Sequence, residues 1–168
     1  MNLTARCYGL ILAALLLAAP AGASAQSESH QGPATGAPAA APGDAAMVVD
    51  NFHAALTSGD TGRAAEMLSE AVLIFEGGGA ERSRSEYAAS HLAADATFAK
   101  ALPSELTRRT GGASADIAWV ASEGRTRGRY KDRDVDQITT ETMILRKTVG
   151  AWRIVHVHWS SRAAAAKH

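Results

Sequence analysis

The run Thr140-Glu141-Thr142-Met143-Ile144-Leu145-Arg146-Lys147-Thr148-Val149-Gly150-Ala151-Trp152-Arg153-Ile154-Val155-His156-Val157-His158-Trp159-Ser160 leaves the chain few choices of fold. β-Branched and aromatic residues fill both halves, and a tight glycine-containing turn separates them, which predicts a C-terminal hairpin. The second half closes as His-x-His-x-Ser. On a strand, His156 and His158 share one face while Val155, Val157 and Trp159 share the other.

Upstream the pattern is helical at first. Asp44 can cap a helix carrying Val48, Phe52, Ala55 and Leu56 at helical spacing, and Gly59 stands where a left-handed C-terminal residue belongs. Asp60 caps a short second helix through Ala64, Ala65 and Leu68, and Val72 to Phe75 form a strand ended by Gly77-Gly78-Gly79. Ser83-Arg84-Ser85-Glu86 has the capping-box form and predicts a third helix, with Tyr87, His91, Asp95 and Phe98 on one face, ending before Pro103. From Leu106 onward the chain turns to β, in runs near Leu106 to Thr110, Ile117 to Tyr130, Val135 to Lys147 and Trp152 to Ser160. Gly111-Gly112 and Lys131-Asp132-Arg133-Asp134 punctuate them. The order α, α, β, α and four β defines an α+β domain.

The hairpin and, less specifically, the third helix resemble the nuclear transport factor 2-like superfamily, in particular its SnoaL-like domains of unknown function and the association (hub) domain of calcium/calmodulin-dependent kinase. The resemblance implies a cone-shaped fold in which three N-terminal helices pack against a strongly curved antiparallel sheet and enclose a cavity. Isomerases, dehydratases, polyketide cyclases and non-catalytic oligomerisation modules share that scaffold, so it implies no single activity. Aligned on the hub motif, Glu141-Thr142-Met143-Ile144 and Trp152-x-Ile154-Val155-His156-x-His158-x-Ser160 put that family's pocket arginines at Met143 and Trp159. On this phase Glu141, Met143, Val157 and Trp159 look into the cavity, and His156 and His158 lie on the convex face where such domains often dimerise. With neither arginine present, the resemblance implies a small, mostly apolar or aromatic-stacked ligand in place of a carboxylate.

The N-terminus predicts export to the periplasm or beyond. Arg6 precedes the apolar run Leu10 to Ala19, and Ala23-Ser24-Ala25 offers a cleavage site before Gln26, so residues 1–25 read as a signal peptide. The lone Cys7 is lost with it, which leaves the mature chain no disulfide. Residues 26–43 are Ala, Gly, Pro, Ser and Gln in the main and read as a disordered linker. Residues 44–162 then form the domain and 163–168 a disordered tail. The 17 basic and 17 acidic residues balance, which argues against nucleic acid or, after signal cleavage, a membrane as partner.

Several side chains are candidates for chemistry. Tyr87, His91 and Asp95, spaced by four on a helix, could form an acid/base set, or Tyr87 could belong to the core with His91 half-buried and Asp95 in water. His156 and His158 could join His91 around a metal ion, or be structural strand histidines. Glu76 and Glu141 would be costly to bury unpaired, and Arg125, Arg127 and Arg129 are the natural cross-strand partners for Glu141. Trp119 and Trp152 are aromatic residues for core, pocket or interface. No dinucleotide, phosphate-loop or nucleophile-elbow signature implies a cofactor. Two classes of function follow: an exported module that binds a small ligand or assembles, or a cofactor-independent isomerase, cyclase or dehydratase using His91 with a carboxylate. A homodimer is expected, because a curved sheet bearing Trp152, Arg153 and Val155 exposes apolar surface.

Overall fold

The computed structural model describes residues 43–165; the predicted signal peptide, all of the predicted linker but Gly43, and residues 166–168 lie outside them. Helix α1 (Gly43–Ser58) starts one residue early, so Asp44 sits in its first turn, and Val49, Phe52, Ala55 and Leu56 form its buried stripe. Gly59, at φ +83°, ends it: the Gly59 amide donates to Leu56 O and the Asp60 amide to Ala55 O, at 3.0 and 2.9 Å. This double bond is the Schellman arrangement, which needs a left-handed residue at that position. Asp60 caps α2 (Thr61–Met67) by accepting from the Arg63 amide.

Strand β1 (Leu68–Glu76) takes over Leu68 from the predicted helix and turns through Gly77 and Gly78, both at positive φ, into the short β2 (Gly79–Glu81). The helix predicted from Ser83 to Pro103 is two helices, α3 (Arg84–Ser90) and α4 (Leu92–Ala101). Ser83 caps α3 as expected. The break falls at His91, where the Ser90 hydroxyl donates back to Glu86 O at 2.8 Å, a bond that bends helices.

Four antiparallel strands follow: β3 (Ser104–Ser114), β4 (Ile117–Tyr130), β5 (Arg133–Thr148) and β6 (Ala151–Ala163). Gly111 and Gly112, expected to end a strand, lie inside β3. A Cβ on Gly112 would stand 2.8 Å from Trp119 Nε1, so the glycine makes room for the indole lying across it. The β4–β5 turn places Lys131 and Asp132 at φ +45° and +64°, the geometry of a two-residue type I′ hairpin. Strand β6 carries order past Arg162, the expected end of the domain, and the Ala164 amide still donates to Asp136 O.

The sheet runs β2-β1-β6-β5-β4-β3 and is mixed, because β1 lies parallel to β6 where the resemblance implied an antiparallel sheet. No turn joins those two strands directly, so no hairpin geometry dictates their direction. A register shift leaves Val155 as an extra residue between Ile144↔His156 and Leu145↔Ile154. That bulge turns Ile154 inward beside Val157, where strict alternation would have put Val155. The helices cover the inner face, and Phe52, Leu68, Ile74, Tyr87, Met143, Leu145, Ile154 and Val157 pack between the layers with almost no exposure.

Candidate functional site

A cavity of about 680 Å³ opens between the inner face of the sheet and helices α1 and α4. Leu56, Phe98, Leu102, Leu106 and Trp159 supply apolar wall, and Asp50, His53, Glu76, Asp95, Arg109 and Glu141 also line it. Polar and apolar groups thus share the lining.

Strand register sets its floor. Glu141 on β5 pairs with Trp159 on β6, and Trp159 pairs in turn with Glu76 on β1, so one transverse row places an indole between two carboxylates. Adjacent strands stand about 4.8 Å apart, which keeps the three within reach of one small ligand. Phe52 stacks on the indole at 6.3 Å and 20°, and Tyr87 leans against it at 6.3 Å.

Glu141 is buried. Its Oε2 accepts from Trp159 Nε1 at 2.8 Å and from His53 Nε2, which comes from α1, at 2.7 Å. Its Oε1 is buried and meets no hydrogen-bond donor among the described residues. Burial pushes this carboxyl up, but the His53 bond and charge, the Trp159 indole and the Arg109 charge outweigh it and hold the group below its ordinary range.

Across the cavity, buried Tyr87 donates its hydroxyl to Asp95 Oδ2 at 2.8 Å. Burial raises Asp95 above the ordinary carboxylate range, against the opposing Tyr87 bond and His91 charge. Glu76 is raised by burial and next by the Asp95 charge, and burial followed by Asp95 also raises the Tyr87 phenol. These are the responses of acids whose ionised forms crowd one another in a partly dry space.

The sequence candidates separate on this frame. Glu76, Asp95, Glu141 and Trp159 line the cavity, and Tyr87 reaches it through Asp95. Met143 faces inward as expected but is sealed in the core, with no exposure. Trp119 is not a pocket residue: Ala118 and Val120 are its buried neighbours, so alternation turns it to the outer face, 42% exposed. The His91 side chain bonds Glu81 and not Asp95, although the Asp95 amide donates to His91 O at 2.9 Å. It pairs through Nδ1 with the buried carboxylate of Glu81, and that bond raises its proton affinity.

The metal set His91, His156 and His158 does not assemble. The two strand histidines pack edge-on against Phe75, His156 Nδ1 bonds Leu73 O at 2.9 Å, and among the described residues no three His, Cys, Asp or Glu side chains could hold a metal ion. Nor does an arginine ladder serve Glu141: Arg125 makes a two-bond pair with Asp136 at 2.7 and 2.6 Å, and Arg127 and Arg129 also face aspartates. His53, Asp50, Glu81 and Arg109 were missed. His53 falls on the helix α1 face beside Phe52, and its partner is far along the chain, so only the i, i+3 spacing of Asp50 and His53 hinted at a polar edge to α1. Arg109 donates from Nη1 to Asp50 Oδ1 at 2.6 Å and so ties α1 to β3.

A curved six-stranded mixed sheet over helices, with one polar-and-apolar cavity between them, defines the nuclear transport factor 2-like class of fold. The chain belongs to the SnoaL-like domain family, whose sequence model matches residues 46–165. It is similar to the structure of a candidate ketosteroid isomerase from Shewanella frigidimarina NCIMB 400: 40% identity over 70% of this chain and 94% of that one, TM-score 0.67. A candidate dehydratase from Streptomyces avermitilis shares the fold at 19% identity, covering 73% and 96% of the two chains, TM-score 0.62. So does a candidate calcium/calmodulin dependent protein kinase II association domain from Xanthomonas campestris, at 20% identity, 74% and 94% coverage, TM-score 0.59. No curated protein matches the sequence.

Proposed function

We propose that the cavity is the active site of a cofactor-independent proton-transfer enzyme of isomerase or dehydratase type, acting on a small molecule with polar and apolar parts. One observation carries this: Glu76 and Asp95 line the same cavity, both with raised proton affinity, and Asp95 is held by the Tyr87 hydroxyl. Two such carboxyls resist ionising together, so the pair can present one base and one acid at once. Glu76, which makes no hydrogen bond or ion pair among the described residues, is the base that meets a substrate C–H. Asp95 with Tyr87 supplies the proton or hydrogen bond for the oxygen where charge develops. His53, oriented by Glu141, is the second proton carrier. The acid/base role expected of His91 passes to these groups.

The 40% identity to a candidate ketosteroid isomerase supports the choice of reaction class. A β,γ-unsaturated cyclic ketone, 3-cyclohexenone, serves as test compound, with the conjugated enone read by ultraviolet absorbance. The protein should convert it, and Glu76→Gln and Asp95→Asn should each slow conversion at least about 100-fold. Absence of both conversion and deuterium exchange at the α-carbon, or full activity in both variants, overturns the proposal.

Export of the domain and self-assembly belong to the same proposal. Residues 1–25 have the form of a signal peptide, and N-terminal sequencing of the mature protein should begin at or near Gln26. The outer sheet face carries the register row Trp119, Ile144, His156 and Leu73, with Phe75 beside it, an apolar stripe that favours a homodimer.

A further inference from the structure

We infer that the cavity takes a ligand bearing a protonated amine, its ammonium group held over Trp159 between Glu76 and Glu141 with Asp95 opposite. This deepens the proposed function by naming the substrate class and rests on it for the use to which the site is put.

The argument is a count of donors and acceptors. Five carboxylates line the cavity: Asp50, Glu76, Asp95, Glu123 and Glu141. Asp50 is taken by Arg109 at 2.6 Å, and Glu123 faces Arg108 at 3.9 Å. Arg109 is the single guanidinium lining the cavity among the described residues. Its charge is paired with Asp50 through Nη1 and its Nε donates to Ser122 Oγ at 3.3 Å, so it offsets one of the five carboxylates and leaves the lining with an acidic excess. Among the described residues, His53 is the basic side chain that bonds one of the remaining three, Glu141, while the charges of His91 and Arg109 act on the set from farther off.

The buried carboxylate makes the count specific. Glu141 is 8% exposed, and although two donors meet its Oε2, none meets Oε1. A buried acceptor without a donor costs on the order of 1–3 kcal/mol. A ligand N–H that reaches it recovers that cost. Across the register row, Glu76 offers a carboxylate without a donor, and Trp159 between the two presents an aromatic surface backed by Phe52 and Tyr87. Carboxylates flanking an indole satisfy an ammonium by charge, by its three N–H donors and by cation–π attraction together. A carboxylate ligand would meet like charges there. The apolar wall of Leu56, Phe98, Leu102 and Leu106 fits the ligand's hydrocarbon part.

The test is a calorimetric titration of the full chain at pH 7 with three probes of one shape: 2-phenylethylamine, 2-phenylethanol and phenylacetate. The amine should bind at least tenfold tighter than the alcohol, and phenylacetate should give no measurable binding. Glu76→Gln should weaken the amine at least tenfold more than it weakens the alcohol. Phenylacetate or phenylethanol binding as tightly as the amine, or a Glu76→Gln protein that holds the amine undiminished, overturns the inference. The charge series uses unsubstituted protein, so it decides the matter even if the variant fails to fold. Selective amine binding without any proton transfer would sink the enzyme reading and leave this one standing; enone formation with a preference for phenylacetate would do the reverse.

Discussion

Replacing Glu141 with Ala removes one acceptor and leaves two donors without it, the partly exposed His53 Nε2 and the half-buried Trp159 Nε1. The loss should be about 1–3 kcal/mol at pH 7 in urea unfolding. Its pH dependence has a definite sign. The folded protein holds this carboxyl below its ordinary value, so the stability it contributes is present above the unfolded value and fades as pH falls through the folded one. The gap between wild type and variant should therefore narrow in acid. Asp95 behaves oppositely. Its folded value is raised, so its contribution is complete below the unfolded value and is lost as pH rises through the folded one. Asp95→Asn keeps an oxygen for the Tyr87 hydroxyl and should be more stable than wild type at pH 7, by up to about 1 kcal/mol after solvent screening. That gain should vanish at pH 3. A variant at once more stable and less active would show strain retained for function.

At the level of strands and helices, the β5–β6 hairpin carries a local conflict. Val149 sits at φ +49° and is 99% exposed, a left-handed position that suits a β-branched residue badly, followed by Gly150 at φ +80°. Val149→Asn restores the Asn-Gly pair that a two-residue turn prefers and removes no packing. It should stabilise the protein by about 1 kcal/mol, read as a higher thermal midpoint with the hairpin register unchanged. The break between α3 and α4 is a different kind of irregularity. The capping box at Ser83 starts the helix, but the Ser90 back-bond and the pull of Glu81 on His91 end it, and the second of these comes from a neighbouring strand.

For the molecule as a whole, the proposed homodimer rests on the outer sheet face. Trp119, Ile144, His156 and Leu73 form one register row there, and Phe75 and Trp119 stand well exposed. Trp152, on which the expectation of a dimer first rested, packs against the core instead. Trp119→Glu adds a charge to that row and should convert a dimer to a monomer by light scattering while the unfolding transition stays cooperative. A wild-type protein that is monomeric at micromolar concentration would refute the dimer.

What was legible in the chain is what acts over a few residues. The cap at Ser83, the positive-φ glycines at Gly59, Gly77 and Gly78, and the β4 limits Ile117 and Tyr130 follow from turn chemistry and from a period of two, whereas the inward phase of Glu141, Met143, Val157 and Trp159 comes from the resemblance to the hub domain. Those signals suffice for the α+β class, and with the resemblance they reach Glu76, Asp95, Glu141 and Trp159 on the cavity wall. The pairing of Glu141 with His53, of Asp50 with Arg109 and of His91 with Glu81 was not legible, because each depends on which elements the folded sheet brings together. The bulge at Val155 and the parallel docking of β1 on β6 set the row Glu76, Trp159 and Glu141. No local spacing encodes that row; packing three strands against one another aligns it, and so tertiary structure alone decides the charge of the cavity.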